Sequence, residues 1–180
     1  PVTSYGGAVS GPHHHPYIAV QRPQRLGKAK FAGQWAWSDT VAGWNPDRLA
    51  LTSRAVTALA HRAHYFELTF EAEAAIPYRL WIRAKGDRNY WGNDSVFAQF
   101  DRSVNASGSS QFRIGTTSST PINLEDCSGC GISGWGWQDN GWGRGVLGPQ
   151  IFFSQTGPQR IRIQTREDGL AIDQVVLSPE

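Results

Sequence analysis

Short stretches in which apolar and polar residues alternate recur along the second half of the chain. In residues 64–73, Phe66, Leu68, Phe70 and Ala72 alternate with polar residues, which is typical of a strand with one buried face. Residues 78–84 and 159–165 alternate in the same way, and further short strands are predicted over 95–100, 111–115, 121–124, 150–154 and 170–177. Together they predict a series of short strands separated by Gly, Pro, Asn and Asp turns.

The first part of the chain has a weaker pattern. Residues 17–20 predict a short strand, residues 30–37 alternate only loosely, and residues 49–61 fit either a short helix or an irregular strand. Residues 1–16 combine Gly, Pro and Ser with three consecutive His and have no periodicity, as expected of an extended leader or linker. We therefore predict a leader over 1–16 and one domain over 17–180.

The turns between the alternating stretches favour strand-to-strand connections. Gly157-Pro158 and Asp168-Gly169 are the sharpest turn signals, and Asp-Gly between two alternating runs is typical of a β-hairpin. We expect the charges of residues 166–168 to be solvated at the tip of that hairpin. The pattern predicts an all-β fold, a two-sheet antiparallel β-sandwich of the jelly-roll, galactose-binding-domain-like type.

Composition adds a binding signal and excludes some partners. Eight Trp among 180 residues exceed what a core of this size needs, and Trp offers a large contact area at a low entropy cost. The 17 Lys and Arg against 15 Asp and Glu are scattered, so no nucleic-acid partner is expected. Because the chain has no apolar run of about 18 residues, no membrane span is expected either.

A Trp- and Gly-rich stretch over residues 134–144 is the first candidate binding segment. Its glycines are too frequent for a core strand, so it predicts a loop or strand end that presents aromatic rings. A sugar stacks its apolar face on such rings while Asp and Asn bind its hydroxyl groups. The alternative is packing against the sandwich, with Trp135 the first ring to assign to it. The candidate ligand-binding residues of this stretch are Trp137, Asp139, Asn140 and Trp142.

A polar loop over residues 85–95 is the second candidate. Tyr90 and Trp91 lie in its middle among charged and amide side chains, and exposed aromatic residues in such a loop indicate binding or self-association. Packing under the end of the sandwich remains the alternative. The candidate ligand-binding residues here are Tyr90, Trp91 and Asn93, and Arg166 is added from the later turn.

Two further features concern covalent and metal chemistry. Cys127 and Cys130 lie in a Gly-rich segment, where a local disulfide that braces a loop is favoured over a free dithiol or a redox-catalytic pair. Asp173 interrupts an apolar strand and needs a partner. That partner is either a hydrogen-bond donor or a cation such as Ca²⁺, which prefers oxygen ligands.

Signatures of catalysis are weak. The chain has no GxSxG, HExxH or P-loop motif, and outside the leader only His61 and His64 are candidate bases. Without a partner constellation these residues make no case for catalysis, so we expect that the chain is not an enzyme.

Several short motifs between residues 65 and 179 resemble a known group of domains. They are Tyr65-Phe66, Pro77-Tyr78-Arg79-Leu80-Trp81-Ile82-Arg83, Asn93-Asp94-Ser95-Val96, Gln99-Phe100, Arg113-Ile114-Gly115-Thr116-Thr117, Gly134-Trp135-Gly136-Trp137-Gln138-Asp139-Asn140-Gly141, Arg166-Glu167-Asp168-Gly169 and Ile172-Asp173-Gln174-Val175-Val176-Leu177-Ser178-Pro179. In these motifs the chain resembles carbohydrate-binding modules of families 6 and 35 and malectin-like domains, as found in large secreted bacterial proteins.

The resemblance implies a jelly roll that binds glycan through loop aromatics. Trp91 matches the aromatic residue after an early strand, and Trp137 or Trp142 matches its opposing partner. These families often hold a structural Ca²⁺ near the chain ends, for which Asp173 matches the C-terminal carboxylate. They also supply a Glu-x-Glu pair from the first strand, and this sequence departs from the pattern because it has no such pair in that position.

We therefore expect a non-catalytic glycan-binding module that is secreted or held at the cell surface. The alternative is a structural subunit of an extracellular fibre or surface assembly. In that case, residues 1–20 would self-associate by adding as a strand to the sheet edge of a neighbouring copy.

Overall fold

A computed structural model describes the backbone of Ile18–Ala19 and Lys30–Ala32 and residues 65–180, except Asp168 and the side chain of Asp173. The predicted leader, the undecided segment 49–61 and the candidate bases His61 and His64 lie outside the described residues. No helix among the described residues is both long and apolar enough to cross a membrane.

The regular secondary structure of the described residues is almost entirely β-strand. In chain order they are β1 (Ile18–Ala19), β2 (Lys30–Ala32), β3 (Tyr65–Ala72), β4 (Tyr78–Gly86), β5 (Ser95–Phe100), β6 (Ser103–Val104), β7 (Thr120–Asn123), β8 (Gly136–Gln138), β9 (Phe152–Phe153), β10 (Gly157–Thr165) and β11 (Leu170–Pro179). Two short 3-10 turns, Asp87–Asn89 and Trp91–Asn93, lie between β4 and β5.

The strands form two main antiparallel sheets. The four-stranded sheet has the order β1-β11-β4-β8, the five-stranded sheet has the order β2-β3-β10-β5-β7, and β6 pairs with β9 separately. The chain crosses between the main sheets after β3, β4, β7 and β10, so their inner faces enclose one core. The prediction of an all-β, two-sheet antiparallel sandwich is confirmed.

The core follows the alternation of apolar residues. Phe66, Leu68 and Phe70 on β3 are buried, as are Leu80 and Ile82 on β4, because every second side chain of a strand points to the same face. The aromatic rings at the centre of the core pack edge to face; the pairs are Phe70–Phe100, Phe70–Phe153, Tyr78–Phe153 and Phe100–Phe153. Burial of each such side chain contributes about 2 kcal/mol.

The hairpin predicted at Asp168-Gly169 is wrong. Strand β10 belongs to the five-stranded sheet, where β3 and β5 already flank it, whereas β11 pairs with β4 and β1 of the other sheet. The turn is therefore a crossover between sheets. Glu167 is buried and Arg166 is largely buried, so the expectation of a solvated, charged tip is also wrong.

The strand predicted over 111–115 is absent. The side chain of Gln99 donates hydrogen bonds to the carbonyl oxygens of Arg113, Thr116 and Ser118 at 2.8–2.9 Å, which holds this segment as a loop. Conversely, β6 and β8 are strands that the alternation did not predict, because each spans only two or three residues.

Part of the N-terminal segment pairs within its own chain. Ile18 lies opposite Leu177 and Ala19 lies opposite Val176, on the edge of the four-stranded sheet. Strand addition between copies through residues 1–20 stays a prediction.

Candidate ligand-binding surface

The loop over residues 87–93, here called the ring loop, presents two adjacent aromatic rings. Tyr90 has extended backbone between the two 3-10 turns. The side chains of Tyr90 and Trp91 are 50% and 53% exposed, and their ring centroids lie 5.2 Å apart with the planes tilted by 47°. The prediction that both rings are exposed in this loop is confirmed.

Hydrogen bonds to two neighbouring segments hold the backbone of the ring loop in a strained conformation. Arg88 and Asn89 have φ of 55° and 53°, a left-handed region that costs a non-Gly residue of order 1 kcal/mol or more. Asn89 Oδ1 accepts a hydrogen bond from Gly134 N at 2.9 Å. On the other side, Asp87 N donates to Gly169 O at 2.9 Å. The structure thus brings together the three segments that the sequence singled out for binding.

Asn93 lies at the end of the ring loop against the crossover turn. A Cβ placed on Gly169 would come within 2.8 Å of the side chain of Asn93, and Gly169 has a φ of 82°. Glycine is therefore required at this contact by both space and backbone conformation. The contact fixes Asn93, which is partly exposed, two residues from Trp91.

A buried carboxyl group supports the base of the ring loop. Asp94 Oδ2 accepts a hydrogen bond from Glu125 N at 2.7 Å, while Asp94 N donates to Glu167 Oε2 at 3.1 Å. Burial, and then the hydrogen bond and the charge of Glu167, raise the pKa of Asp94 to about 8. The raised pKa favours the protonated form of Asp94 beside Glu167, so that the two carboxyl groups need not both carry a charge.

Arg166 links strand ends near this carboxyl pair. Its Nη1 donates to Ser95 Oγ at 2.6 Å and to Asn123 Oδ1 at 2.7 Å, and its guanidinium lies 5.9 Å from the ring centroid of Phe97. The observed role of Arg166 is to join β5, β7 and the crossover turn. Its contact with a ligand stays a prediction.

A second set of aromatic rings lies on the outer face of the four-stranded sheet. Trp137 on β8 is 45% exposed and lies directly opposite Arg83 of β4. The guanidinium of Arg83 covers the ring of Trp135 at 5.3 Å from its centroid. Trp81, two residues before Arg83, shares the same outer face and is partly exposed. Trp135 is accordingly half-buried, as the packing alternative expected.

Sequence reasoning missed Arg83 and Trp81 as members of this face. The alternation in residues 78–84 already places them opposite the buried side chains of β4. The missing information was the position of β8, which brings Trp137 beside them.

The third exposed region is a loop over residues 141–148, here called the glycine finger. Its side chains Trp142, Val146 and Leu147 are 57%, 54% and 55% exposed. At its base, Asp139 Oδ1 accepts from Gly141 N at 2.8 Å and Asp139 Oδ2 accepts from Gly148 N at 2.9 Å. One carboxylate therefore closes the neck of the finger.

Asp139 and Asn140 are buried below the finger. Arg79 Nη1 lies 3.3 Å from Asp139 Oδ2 and donates to Gly148 O at 2.7 Å. Asn140 Nδ2 donates to Pro149 O at 3.1 Å. These contacts make Asp139 and Asn140 supports of the neck, and their contact with a sugar stays a prediction.

The predicted disulfide between Cys127 and Cys130 is confirmed, with the two Cα atoms 5.4 Å apart. The disulfide loop lies against the glycine finger, since Gly143 N donates to Asp126 O at 2.5 Å and Arg144 Nη2 lies 3.9 Å from Cys130 Sγ. Asp126 is close enough to both sulfur atoms for a three-ligand cluster. However, sulfur atoms joined to each other are not the thiolates that a metal needs.

The predicted metal ligand is a different residue, Asp173. Its side chain lies outside the described residues, and the register between β11 and β4 shifts at its position, between Ile172 and Gln174. The structural Ca²⁺ stays a prediction.

Comparisons with known proteins find similarity to solved structures. No family model matches the chain, and no curated protein matches it. The crystal structure of a GH26-CBM35 beta-(1,4)-mannanase from Podospora anserina is similar at 10% sequence identity and a TM-score of 0.47. The similarity covers 93% of this chain and 28% of that chain. At this level the similarity assigns neither a ligand nor a role to any residue here.

Proposed function

We propose that the chain is a non-catalytic module that binds glycan through the rings of Tyr90, Trp91 and Trp137. The observation that supports the proposal is the half-exposed ring pair on a backbone fixed from two sides. Rings that are already held in place bind without the cost of ordering a loop. Adjacent exposed aromatic rings are typical of a binding surface.

The neighbours of the rings have the chemistry that a sugar needs. Arg88 is exposed and Asn93 is partly exposed within the ring loop, and Arg83 lies opposite Trp137. Apolar faces bordered by a few fixed polar groups are typical of sites for small polar ligands. A sugar would stack on the rings, accept hydrogen bonds from the guanidinium groups at its oxygen atoms and exchange hydrogen bonds with the Asn93 amide.

The carboxyl pair Asp94 and Glu167 is assigned to support of the loop. Both side chains are buried and bonded to backbone N–H groups, which suits a structural role better than proton transfer to a ligand. We therefore keep the proposal non-catalytic. The disulfide Cys127–Cys130 supports function in an oxidising compartment outside the cell.

Affinity electrophoresis tests the proposal. Native gels containing xylan, mannan, β-glucan, pectin or bacterial exopolysaccharide should retard the wild-type protein in at least one case. Trp91→Ala and Trp137→Ala should each weaken that retention about ten-fold or more, because each removes a large stacking surface. Leu147→Ala is the matched control, since it truncates an equally exposed apolar side chain outside the rings.

Two results would contradict the proposal. The first is a wild-type protein that no polysaccharide of a broad panel retains. The second is retention that survives both Trp substitutions while the variants remain folded by near-ultraviolet circular dichroism.

A further inference from the structure

The glycine finger differs chemically from the proposed glycan site. Its three exposed apolar side chains are one aromatic and two aliphatic residues, Trp142, Val146 and Leu147. Its one charged residue is Arg144, which is exposed, and residues 140–149 contain no acidic residue. The finger thus combines a Trp ring, aliphatic side chains and a positive charge on a single loop.

Close packing at the neck of the finger fixes its backbone, and the three apolar side chains are exposed to solvent. A Cβ on Gly141 would overlap the carbonyl oxygen of Val146, and a Cβ on Gly148 would overlap the backbone of Asn140. The two sides of the neck therefore pack backbone against backbone, and Asp139 bonds both of them. Val146 N donates to Gly143 O at 2.9 Å, which adds a turn inside the finger.

A sugar is a poor match for this tip. Sugar hydroxyl groups need several placed hydrogen-bonding side chains, but Asp139 and Asn140 are buried beneath the finger. The aliphatic side chains Val146 and Leu147 offer no hydrogen bonds to replace them. Their exposure favours an apolar partner.

We propose that the glycine finger inserts into the interfacial region of an anionic lipid bilayer. Trp favours the headgroup level of a bilayer, and aliphatic side chains gain by burial at the acyl boundary. The exposed Arg144 adds a positive charge that complements anionic headgroups, with Asp126 the acidic residue near the same disulfide. The proposal concerns attachment to a membrane surface and is independent of glycan binding by the ring loop.

Co-sedimentation with lipid vesicles tests the proposal. The wild-type protein should bind vesicles of phosphatidylcholine and phosphatidylglycerol at 3:1 more tightly than vesicles of phosphatidylcholine alone. The double variant Val146→Ser, Leu147→Ser should weaken binding to the anionic vesicles about ten-fold or more. Arg144→Gln should weaken it by about five-fold. Arg102→Gln, which removes an exposed positive charge outside the finger, is the matched control and should bind as the wild type does.

Three outcomes would overturn the proposal. They are absence of wild-type binding to both vesicle types, unchanged binding by the double variant, and a wild-type dimer that the double variant converts to a monomer in size-exclusion chromatography. The third outcome would assign the finger to a contact between copies. Equal thermal unfolding of wild type and double variant shows that a loss of binding is not a loss of fold.

Discussion

The ring loop and the glycine finger present Trp side chains to nearly the same extent, with Trp91 53% and Trp142 57% exposed. Their surroundings differ. Trp91 lies beside Tyr90 and among polar side chains of residues 87–93, whereas Trp142 shares its loop with Val146 and Leu147. The comparison teaches that an exposed Trp identifies a binding surface, while its neighbours identify the chemistry of the partner.

The two loops also reach rigidity by different means. The ring loop uses left-handed Arg88 and Asn89, held by a side-chain bond to Gly134. The glycine finger uses close backbone contact at Gly141 and Gly148, closed by a single buried carboxylate. A change to one support should therefore affect one loop and leave the other intact.

The largest expected effect comes from Asp139→Ala. This substitution removes the acceptor of Gly141 N and Gly148 N and leaves buried Arg79 without one of its carboxylate partners. We expect the free energy of unfolding to fall by about 3 kcal/mol, as measured by urea denaturation. Vesicle binding should be lost and polysaccharide retention kept. Glu71→Ala, an exposed carboxylate on β3, is the control; equal stability of both variants would contradict the role of Asp139.

A pH-dependent effect is expected at the base of the ring loop. The folded-state pKa of Asp94 is raised to about 8 from an ordinary value near 3.8. A raised pKa means that the folded state holds the proton more tightly than the unfolded state does. The stability contributed by this proton is therefore full below pH 4 and is lost as the pH rises towards 8.

Asp94→Asn should flatten the fall in the free energy of unfolding between pH 4 and pH 8. The amide keeps a hydrogen-bond donor toward Glu167 and an acceptor for Glu125 N. Urea denaturation across this pH range measures the difference. If wild type and Asp94→Asn have parallel pH profiles, Asp94 does not hold the proton.

The smallest expected effect comes from Asn89→Ala. The variant loses the acceptor for Gly134 N and keeps the left-handed backbone strain, so we expect a loss of about 0.5–1 kcal/mol. Asn89→Gly should relieve the strain but not restore the bond. Polysaccharide retention should fall by a few-fold in Asn89→Ala, with vesicle binding unchanged. A loss of vesicle binding would show that the two loops are coupled.

Local alternation predicted the core strands well, because burial of one face fixes every second residue of β3, β4 and β10. The crossover at Asp168-Gly169 was not predictable in this way. Turn residues determine a local bend, but which sheet receives the next strand depends on whether β10 has a free edge, and β3 and β5 occupy both edges.

The sequence predicted which aromatic rings of the candidate site are exposed, but it did not predict what the polar residues beside them bind. The exposed aromatic residues of the described chain are Tyr90, Trp91, Trp137 and Trp142, all of which the glycine- and polar-rich context indicated. Asp139 and Arg166 instead bond to backbone and side chains of the protein. A polar residue beside a ring has the same sequence signal in either case, because its partner is determined by the tertiary fold.

The most direct test of the central claim uses the indole N–H signals of the eight Trp in a ¹⁵N-labelled sample. Trp91→Ala, Trp137→Ala and Trp142→Ala assign three of them. On addition of an oligosaccharide cut from the polysaccharide that retains the wild type, the account predicts that the signals of Trp91 and Trp137 shift and that of Trp142 stays. A shift confined to Trp142, or no shift at saturating sugar, would contradict it.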